Sequence, residues 1–150
     1  MSEKSESSSG DREPFIVVGV DGSRASIAAV TWAIDHARRI GARVEVIGAW
    51  EVPWSELVSP TKVDDDYFRQ VRERLEPAIA EALTGADDVH TVVRIVEWYP
   101  GPALVQAAEH AEMLVVGSHR YGVMGGMHLG SVASYCAHHA PCPVLIHRHR

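Results

Sequence analysis

Residues 15–23 read FIVVGVDGS, and this stretch indicates the fold class. The continuous, mostly β-branched run over residues 15–20 is typical of a strand that is buried on both faces of a parallel sheet. Asp21, Gly22 and Ser23 then predict a tight turn, and Ser23 can cap the helix that follows. Because a buried strand that turns directly into a helix is the first part of a β-α-β unit, the stretch predicts an α/β domain.

The alternation of strands and helices continues along the chain. Gly41 ends the first helix at about residue 40, and Pro77 predicts a kink or a break in the second helix. Further strands are predicted at residues 43–50, 89–98, 113–117 and 144–147, and helices at 23–40, 64–83, 102–111 and 131–139, with a loop over 51–61. Five strands against four helices predict an open, doubly wound, five-stranded parallel sheet of the Rossmann-like type. Such sheets bind ligands at the carboxyl ends of their strands.

The composition is that of one globular domain. The chain has 150 residues, of which 46% are hydrophobic and 23% charged, and this length and apolar fraction suit a single core. The formal net charge of −6 argues against a general DNA or RNA binder, which needs clustered Lys and Arg. Two cysteines are too few for a disulfide scaffold.

The first residues differ from the rest in composition. Residues 1–13 read MSEKSESSSGDRE and predict a disordered, Ser-rich tail, so that residues 14–150 form the single domain. The tail has no apolar core, which a signal peptide requires. No stretch approaches the roughly 18–20 continuous apolar residues of a membrane helix. We therefore expect a cytoplasmic protein that has no membrane partner.

Two glycine-containing segments are predicted to meet at the carboxyl edge of the sheet. Residues 19–23 (GVDGS) follow strand one, and residues 117–131 (GSHRYGVMGGMHLGS) follow strand four. In a doubly wound sheet the strand order reverses beside strand one, so the two segments can flank one crevice. Backbone N–H groups of the glycine-rich loop, the start of the next helix and the Ser131 hydroxyl would hold a phosphate there. The alternative is that the glycines only turn the chain and that Asp21 is only a turn residue.

Several common enzyme motifs are missing from the sequence. There is no Walker-A GxxxxGK[ST] and no GxGxxG at the first strand turn, which argues against a P-loop ATPase and a nicotinamide dehydrogenase. No GxSxG elbow supports a serine hydrolase. Histidines and cysteines crowd the last third, but without the paired spacing of zinc sites. Cys136 is predicted to be a small core residue, and His147 and His149 to be exposed polar residues of the last strand.

The tryptophans have two explanations. Trp50 and Trp54 lie beside the loop after strand two, near the predicted crevice, whereas Trp32 and Trp98 suit core or edge positions. One of the first pair could stack on a nucleotide base, but packing is the usual role of tryptophan.

Three stretches resemble the universal stress protein family. They are VVGVDGS at residues 17–23, LVVGS at 114–118 and GSVASYCAHHAPCPVLI at 130–146, and the resemblance extends in register over residues 15–149. It implies an adenine nucleotide alpha-hydrolase-like sheet with strand order 3-2-1-4-5. The nucleotide motif of that family is a glycine, two residues, a glycine, nine residues, and then glycine with Ser or Thr.

Arg120 is the one departure from this motif. The motif falls on Gly117, Arg120 and Gly130-Ser131, so that arginine replaces the second glycine. Two consequences are open, because the guanidinium can pair with phosphates, or the side chain can crowd a place where glycine allows close approach.

The resemblance also implies residue roles. Gly19, Val20 and Asp21 would be nucleotide-binding residues, and Asp21 would contact the base or the ribose. Ala49 would line the adenine pocket with its backbone groups. Gly117, Gly130 and Ser131 would hold the ribose and phosphates, and Val132 and Ala133 would add N–H groups at a helix start. Arg120 is counted among the nucleotide-binding residues at the motif position of the second glycine.

The implied function is that of an ATP-binding sensor and regulator in stress adaptation. The ligand would be ATP, with or without Mg²⁺, and ATP hydrolysis would be slow at most. Pairing through the last strand, residues 144–147, would form a homodimer and cover a sheet edge. Three alternatives remain at this point: a cyclic AMP or AMP binder, an interaction protein that binds no nucleotide, and an adenylyl-transferring enzyme, which VDGSRAS does not support.

Overall fold

The computed structural model describes residues 12–50, 63–118 and 130–148. Within these ranges the elements follow one another as β1 (Phe15–Val20), α1 (Arg24–Ile40), β2 (Arg43–Trp50), α2 (Val63–Ala82), β3 (Thr91–Glu97), α3 (Pro100–Ala107), β4 (Met113–Gly117), α4 (Ser131–His139) and β5 (Val144–His147). The strands form one parallel sheet in the order β3-β2-β1-β4-β5. The predicted fold class, element count and strand order are confirmed.

Helix α1 begins and ends at the residues that the sequence indicates. The Ser23 hydroxyl accepts a hydrogen bond from the Ser26 N–H at 3.2 Å. Gly41 has a left-handed conformation at φ 69°, and its N–H bonds to the Ala37 carbonyl. A polar N-cap and a glycine C-cap thus satisfy backbone groups that the helix itself leaves without partners.

The core has two layers because β1 is buried on both faces. Ile16 and Val18 point into a cluster with residues of α1 and α2. Val17 points to the opposite face, where Leu104 of α3 and Cys136 of α4 complete a second cluster. The alternation along the strand explains the uninterrupted apolar run that the sequence shows.

Helix α2 runs from Val63 to Ala82 without a break, so of the two outcomes predicted at Pro77, a kink or a break, the break is wrong. Pro77 is exposed, so water can bond the helix carbonyl that lacks an N–H donor. On the opposite face Val71, Leu75 and Ile79 are buried in the core at four-residue steps. Their packing stabilises the helix on both sides of the proline.

Two other elements are shorter than predicted. Strand β3 begins at Thr91 rather than Val89, because Val89 is buried in a turn in which its N–H bonds to the Ala86 carbonyl. Helix α3 begins at Pro100 and ends at Ala107.

Some predicted features lie outside the described residues. They include residues 1–11 of the predicted tail, the loop over 51–61 with Trp54, and residues 119–129 with Arg120. In the described parts of the chain, no helix combines the length and the apolar character that a membrane crossing needs.

Candidate functional site

The turn between β1 and α1 is held by four hydrogen bonds. A carboxylate oxygen of Asp21 accepts from the Ser23 N–H at 2.8 Å, and the Ser23 hydroxyl accepts from the Ser26 N–H. The Ser26 hydroxyl donates to the Ser23 carbonyl at 3.0 Å and accepts from the Asp21 N–H at 3.3 Å. Gly22 supplies the positive φ of 86° that the turn requires. The turn is therefore ordered by its own side chains, and the role of Asp21 as a turn residue is confirmed.

Sequence reasoning missed Ser26. Its side chain is almost fully buried, with 4% of the residue exposed. Because its hydroxyl bonds the backbone on both sides of Gly22, Ser26 fixes the position of Asp21. The signal was present as the Ser23-x-x-Ser26 spacing, which places two hydroxyls one helical turn apart at a helix start.

The end of β4 lies against the start of α1. The position that a Cβ on Gly117 would take lies 2.7 Å from the carbonyl carbon of Ala25 and 2.8 Å from the amide nitrogen of Ser26. Only glycine fits there, since both neighbours are backbone atoms. At Gly19, a Cβ would come 2.7 Å from the side chain of Leu104. Packing within the protein therefore explains the glycines at positions 19 and 117 without a ligand.

The strand register brings the predicted residues to one edge of the sheet. Val18 pairs with Val115, so Val20 and Gly117, the last residues of β1 and β4, lie side by side. Val20 pairs with Gly48, which places Ala49 beside the same edge. The sheet therefore brings the ends of β1, β2 and β4 together, as predicted.

Helix α4 starts at this edge because it connects two parallel strands, β4 and β5. Gly130 is its N-cap, and the first bond within the helix runs from the Ser134 N–H to the Gly130 carbonyl at 2.9 Å. The N–H groups of residues 131–133 precede that bond and have no acceptor within the helix. This helix start can bind an anion, because the helix dipole places partial positive charge there.

Helix α2 closes the site on the side of β1 and β2. Leu75 is buried, with its two methyl carbons 3.4 Å and 3.0 Å from the positions that a Cβ on Gly22 and on Gly48 would take. One side chain thus spans the β1–α1 turn and the end of β2, which fixes the spacing between them.

The sequence model of the universal stress proteins matches residues 15–148. This chain belongs to the universal stress protein family. A universal stress protein from Mycobacterium tuberculosis strain H37Rv is 32% identical over 147 residues, which cover 93% of this chain and 51% of that protein. The chain spans about half the length of the curated relatives that it matches.

Solved universal stress proteins share the fold. One, in complex with cAMP, is 26% identical with a TM-score of 0.66, and the match covers 92% of this chain and 98% of that one. Another, from Lactobacillus plantarum, has a TM-score of 0.72 at 21% identity, covers 93% and 100% of the two chains, and supports the fold alone.

In this member of the universal stress protein family, Trp50 is a packing residue. It is 6% exposed, and its ring lies 5.3 Å from Phe68 in a stacked arrangement and 5.2 Å from Tyr67. Tyr67 and Phe68 of α2 therefore already contact the Trp50 ring on which a nucleotide base would stack. Trp54, the other member of the predicted pair, lies outside the described residues.

The cysteines and histidines form no metal centre in the described parts of this universal stress protein. Cys136 is fully buried, as predicted, and burial together with the nearby Cys142 raises its pKa to about 11. The predicted exposure of His147 is wrong, because the residue is half-buried and its Nδ1 is enclosed. His147 pairs with Gly117 and so lies on the face of the sheet that α1 covers. His149 lies outside the described residues.

Proposed function

We propose that this chain binds an adenine nucleotide at the carboxyl edge of its sheet and acts as a regulator in stress adaptation. The observation that carries the proposal is the match to a universal stress protein in complex with cAMP, which extends over 92% of this chain at 26% identity. Family membership supports it, and so does the sheet register, which brings the ends of β1, β2 and β4 to one edge.

Each part of the nucleotide has a proposed partner. Asp21 would contact the base or the ribose, and the backbone at Ala49 would line the adenine pocket. The phosphates would lie against Gly117 and Gly130 and accept hydrogen bonds from the N–H groups at the start of α4, to which residues 131–133 contribute. The Ser131 hydroxyl would add one further donor.

The nucleotide we propose is ATP, with or without Mg²⁺. Cyclic AMP and AMP are the alternatives, and the cAMP complex of a relative favours the first of these. Arg120 decides between them in this proposal, because a guanidinium in the phosphate loop can pair with a phosphate or take the space of one.

We propose binding with slow ATP hydrolysis at most. Hydrolysis requires a base positioned on a water molecule. Among the predicted site residues that the structure describes, only Asp21 has an acidic or basic side chain. One oxygen of its carboxylate already accepts a hydrogen bond from the Ser23 N–H within the turn, which leaves that oxygen less able to act as the base.

We also propose that two copies pair through β5. The strand lies at one edge of the described sheet, next to β4. An edge strand has backbone groups that a second copy can pair, and pairing of equivalent strands gives a symmetric dimer.

One observation favours a second candidate function, that of an interaction protein which binds no nucleotide. Gly117 is required by the packing of β4 on α1, so its presence does not depend on a ligand. Arg120 stands where the family motif has glycine. A chain that lost its nucleotide site would keep Gly117 for packing and could acquire an arginine at position 120.

Nucleotide titration separates the two candidates. The purified protein would first be denatured and any released nucleotide identified, and ATP, AMP and cAMP would then be titrated by calorimetry into wild type and Arg120→Gly. Binding by wild type supports the proposal, and weaker binding by the variant would make Arg120 a phosphate ligand. No binding by wild type, with binding gained in Arg120→Gly, would support the interaction protein instead.

A further inference from the structure

Helix α2 places one of its arginines, Arg74, beside the β1–α1 turn. Leu75 is fixed between the β1–α1 turn and the end of β2, so the preceding residue, Arg74, is carried to the same turn. The Arg74 side chain crosses Gly22, with Cγ 3.9 Å and Nε 3.6 Å from the position that a Cβ on Gly22 would take. The guanidinium group therefore begins beside the residue that directly follows Asp21.

The second observation is that Arg74 is uncommitted, unlike its neighbours on α2. Arg69 bonds Asp66 at 2.9 Å, and Arg72 bonds Glu76 at 2.8 Å. In the described parts of the chain, Arg74 makes no such ion pair and no hydrogen bond, and its side chain is exposed. An arginine whose stem lies over the turn, and whose charge has no partner among the described residues, can bind a ligand.

The positive charge of Arg74 affects which ligands can bind at this edge of the sheet. Asp21 is negatively charged, and a nucleotide brings one or more negative phosphates to the same edge. Like charges repel over the Debye length of about 8 Å at physiological ionic strength. A guanidinium beside Gly22 attracts phosphate, whereas an uncharged nucleoside gains nothing from it.

We propose that Arg74 is a further nucleotide-binding residue, and that it makes the site prefer adenine nucleotides with a phosphate close to the ribose, such as AMP and cyclic AMP, over adenosine. The inference rests on the proposed function and adds to it a determinant from α2.

The test compares ligands of different charge on matched variants. Adenosine, AMP and cyclic AMP would be titrated by calorimetry into wild type, Arg74→Gln, Arg74→Lys and the control Arg69→Gln, each after a thermal melt without ligand. We expect Arg74→Gln to weaken AMP and cyclic AMP binding about tenfold, as for one charged hydrogen bond, and to change adenosine binding less than about twofold. Arg74→Lys should regain part of the loss, and Arg69→Gln should match wild type.

Salt supplies a readout that a purely structural role would not alter. The affinity of wild type for AMP should fall more steeply between low and high salt than that of Arg74→Gln. An equal loss for adenosine and AMP, or unchanged AMP affinity in Arg74→Gln, would overturn the role of Arg74 while leaving nucleotide binding in place. ATP would be titrated into wild type alongside. If wild type binds neither ATP nor any of the other three ligands, the proposed function fails and this inference fails with it, whereas binding of ATP alone would overturn the inference about AMP and cyclic AMP and leave the proposed function in place.

Discussion

The last residue of β4, Gly117, packs against the amide nitrogen of Ser26, with 2.8 Å between that nitrogen and the position that a Cβ on Gly117 would take. The contact joins the end of one strand to the first turn of the helix that follows another. Because Ser26 also fixes the turn at Asp21, the glycine and the hydroxyl together determine the shape of the candidate site.

Adding a methyl group at Gly117 should destabilise the protein. Both close neighbours are backbone atoms, so Gly117→Ala must push β4 and α1 apart, which costs about 1–3 kcal/mol for an overpacked core site. Urea unfolding followed by circular dichroism measures this cost. The matched control is Gly48→Ala, whose new Cβ would contact a side-chain carbon of Leu75 at 3.0 Å and should cost less. Wild-type stability in Gly117→Ala would contradict the packing requirement.

Removing the Ser26 hydroxyl should loosen the β1–α1 turn. Ser26→Ala leaves the Asp21 N–H without its acceptor and is expected to lower the free energy of unfolding by about 1–2 kcal/mol. Nucleotide affinity should fall as well, since Asp21 loses its fixed position. Thr31→Ala is the control, because that hydroxyl is exposed and bonds only its own helix, at 3.4 Å to the Ile27 carbonyl. Equal stability of the two variants would refute the role of Ser26.

The proposed dimer can be tested at Ile146. The Leu114 N–H bonds the Pro143 carbonyl and the Ser118 N–H bonds the His147 carbonyl, so alternate residues of β5 face β4 and Ile146 faces the free edge. Ile146→Pro removes one outward N–H and leaves the β4 ladder intact. Sedimentation should give a dimer for wild type and for the control Ile146→Val, and a monomer for Ile146→Pro. A dimer in all three would place the interface elsewhere.

Cys136 should make stability depend on alkaline pH. Its pKa is raised from 9.0 to about 11 in the folded protein, chiefly by burial and secondly by Cys142. Between those values the unfolded chain has released the proton and the folded chain still holds it, so stability should fall as the pH rises from about 9 to about 11. Urea midpoints at pH 8 and pH 10 would fall less in Cys136→Ala than in wild type. An identical fall in both would contradict the assignment.

The same burial should protect Cys136 from modification. At pH 8 almost none of it is thiolate, which is the reactive form. Iodoacetamide should therefore modify Cys142, which is only partly buried, before Cys136. Peptide mass spectrometry of a time course identifies the order, and faster labelling of Cys136 would be the contrary result.

The sequence by itself determined the elements of the fold. The apolar run at residues 15–20, the Ser23 cap and the Gly41 stop are local signals, and each was found where the sequence indicated. The sequence also showed which strand ends carry the candidate site, because parallel β-α-β units place all carboxyl ends at one edge. Arg120 is visible only as a departure from a motif, and its role stays a prediction.

Only the tertiary structure decided the contacts between elements. It showed that Gly117 is needed by α1, that His147 is half-buried, that α2 continues through Pro77, and that Arg74 lies beside Gly22. Each of these depends on the distance between residues far apart in the chain or on which face of an element is buried. Local propensity carries no information on such distances, because packing between whole elements sets them.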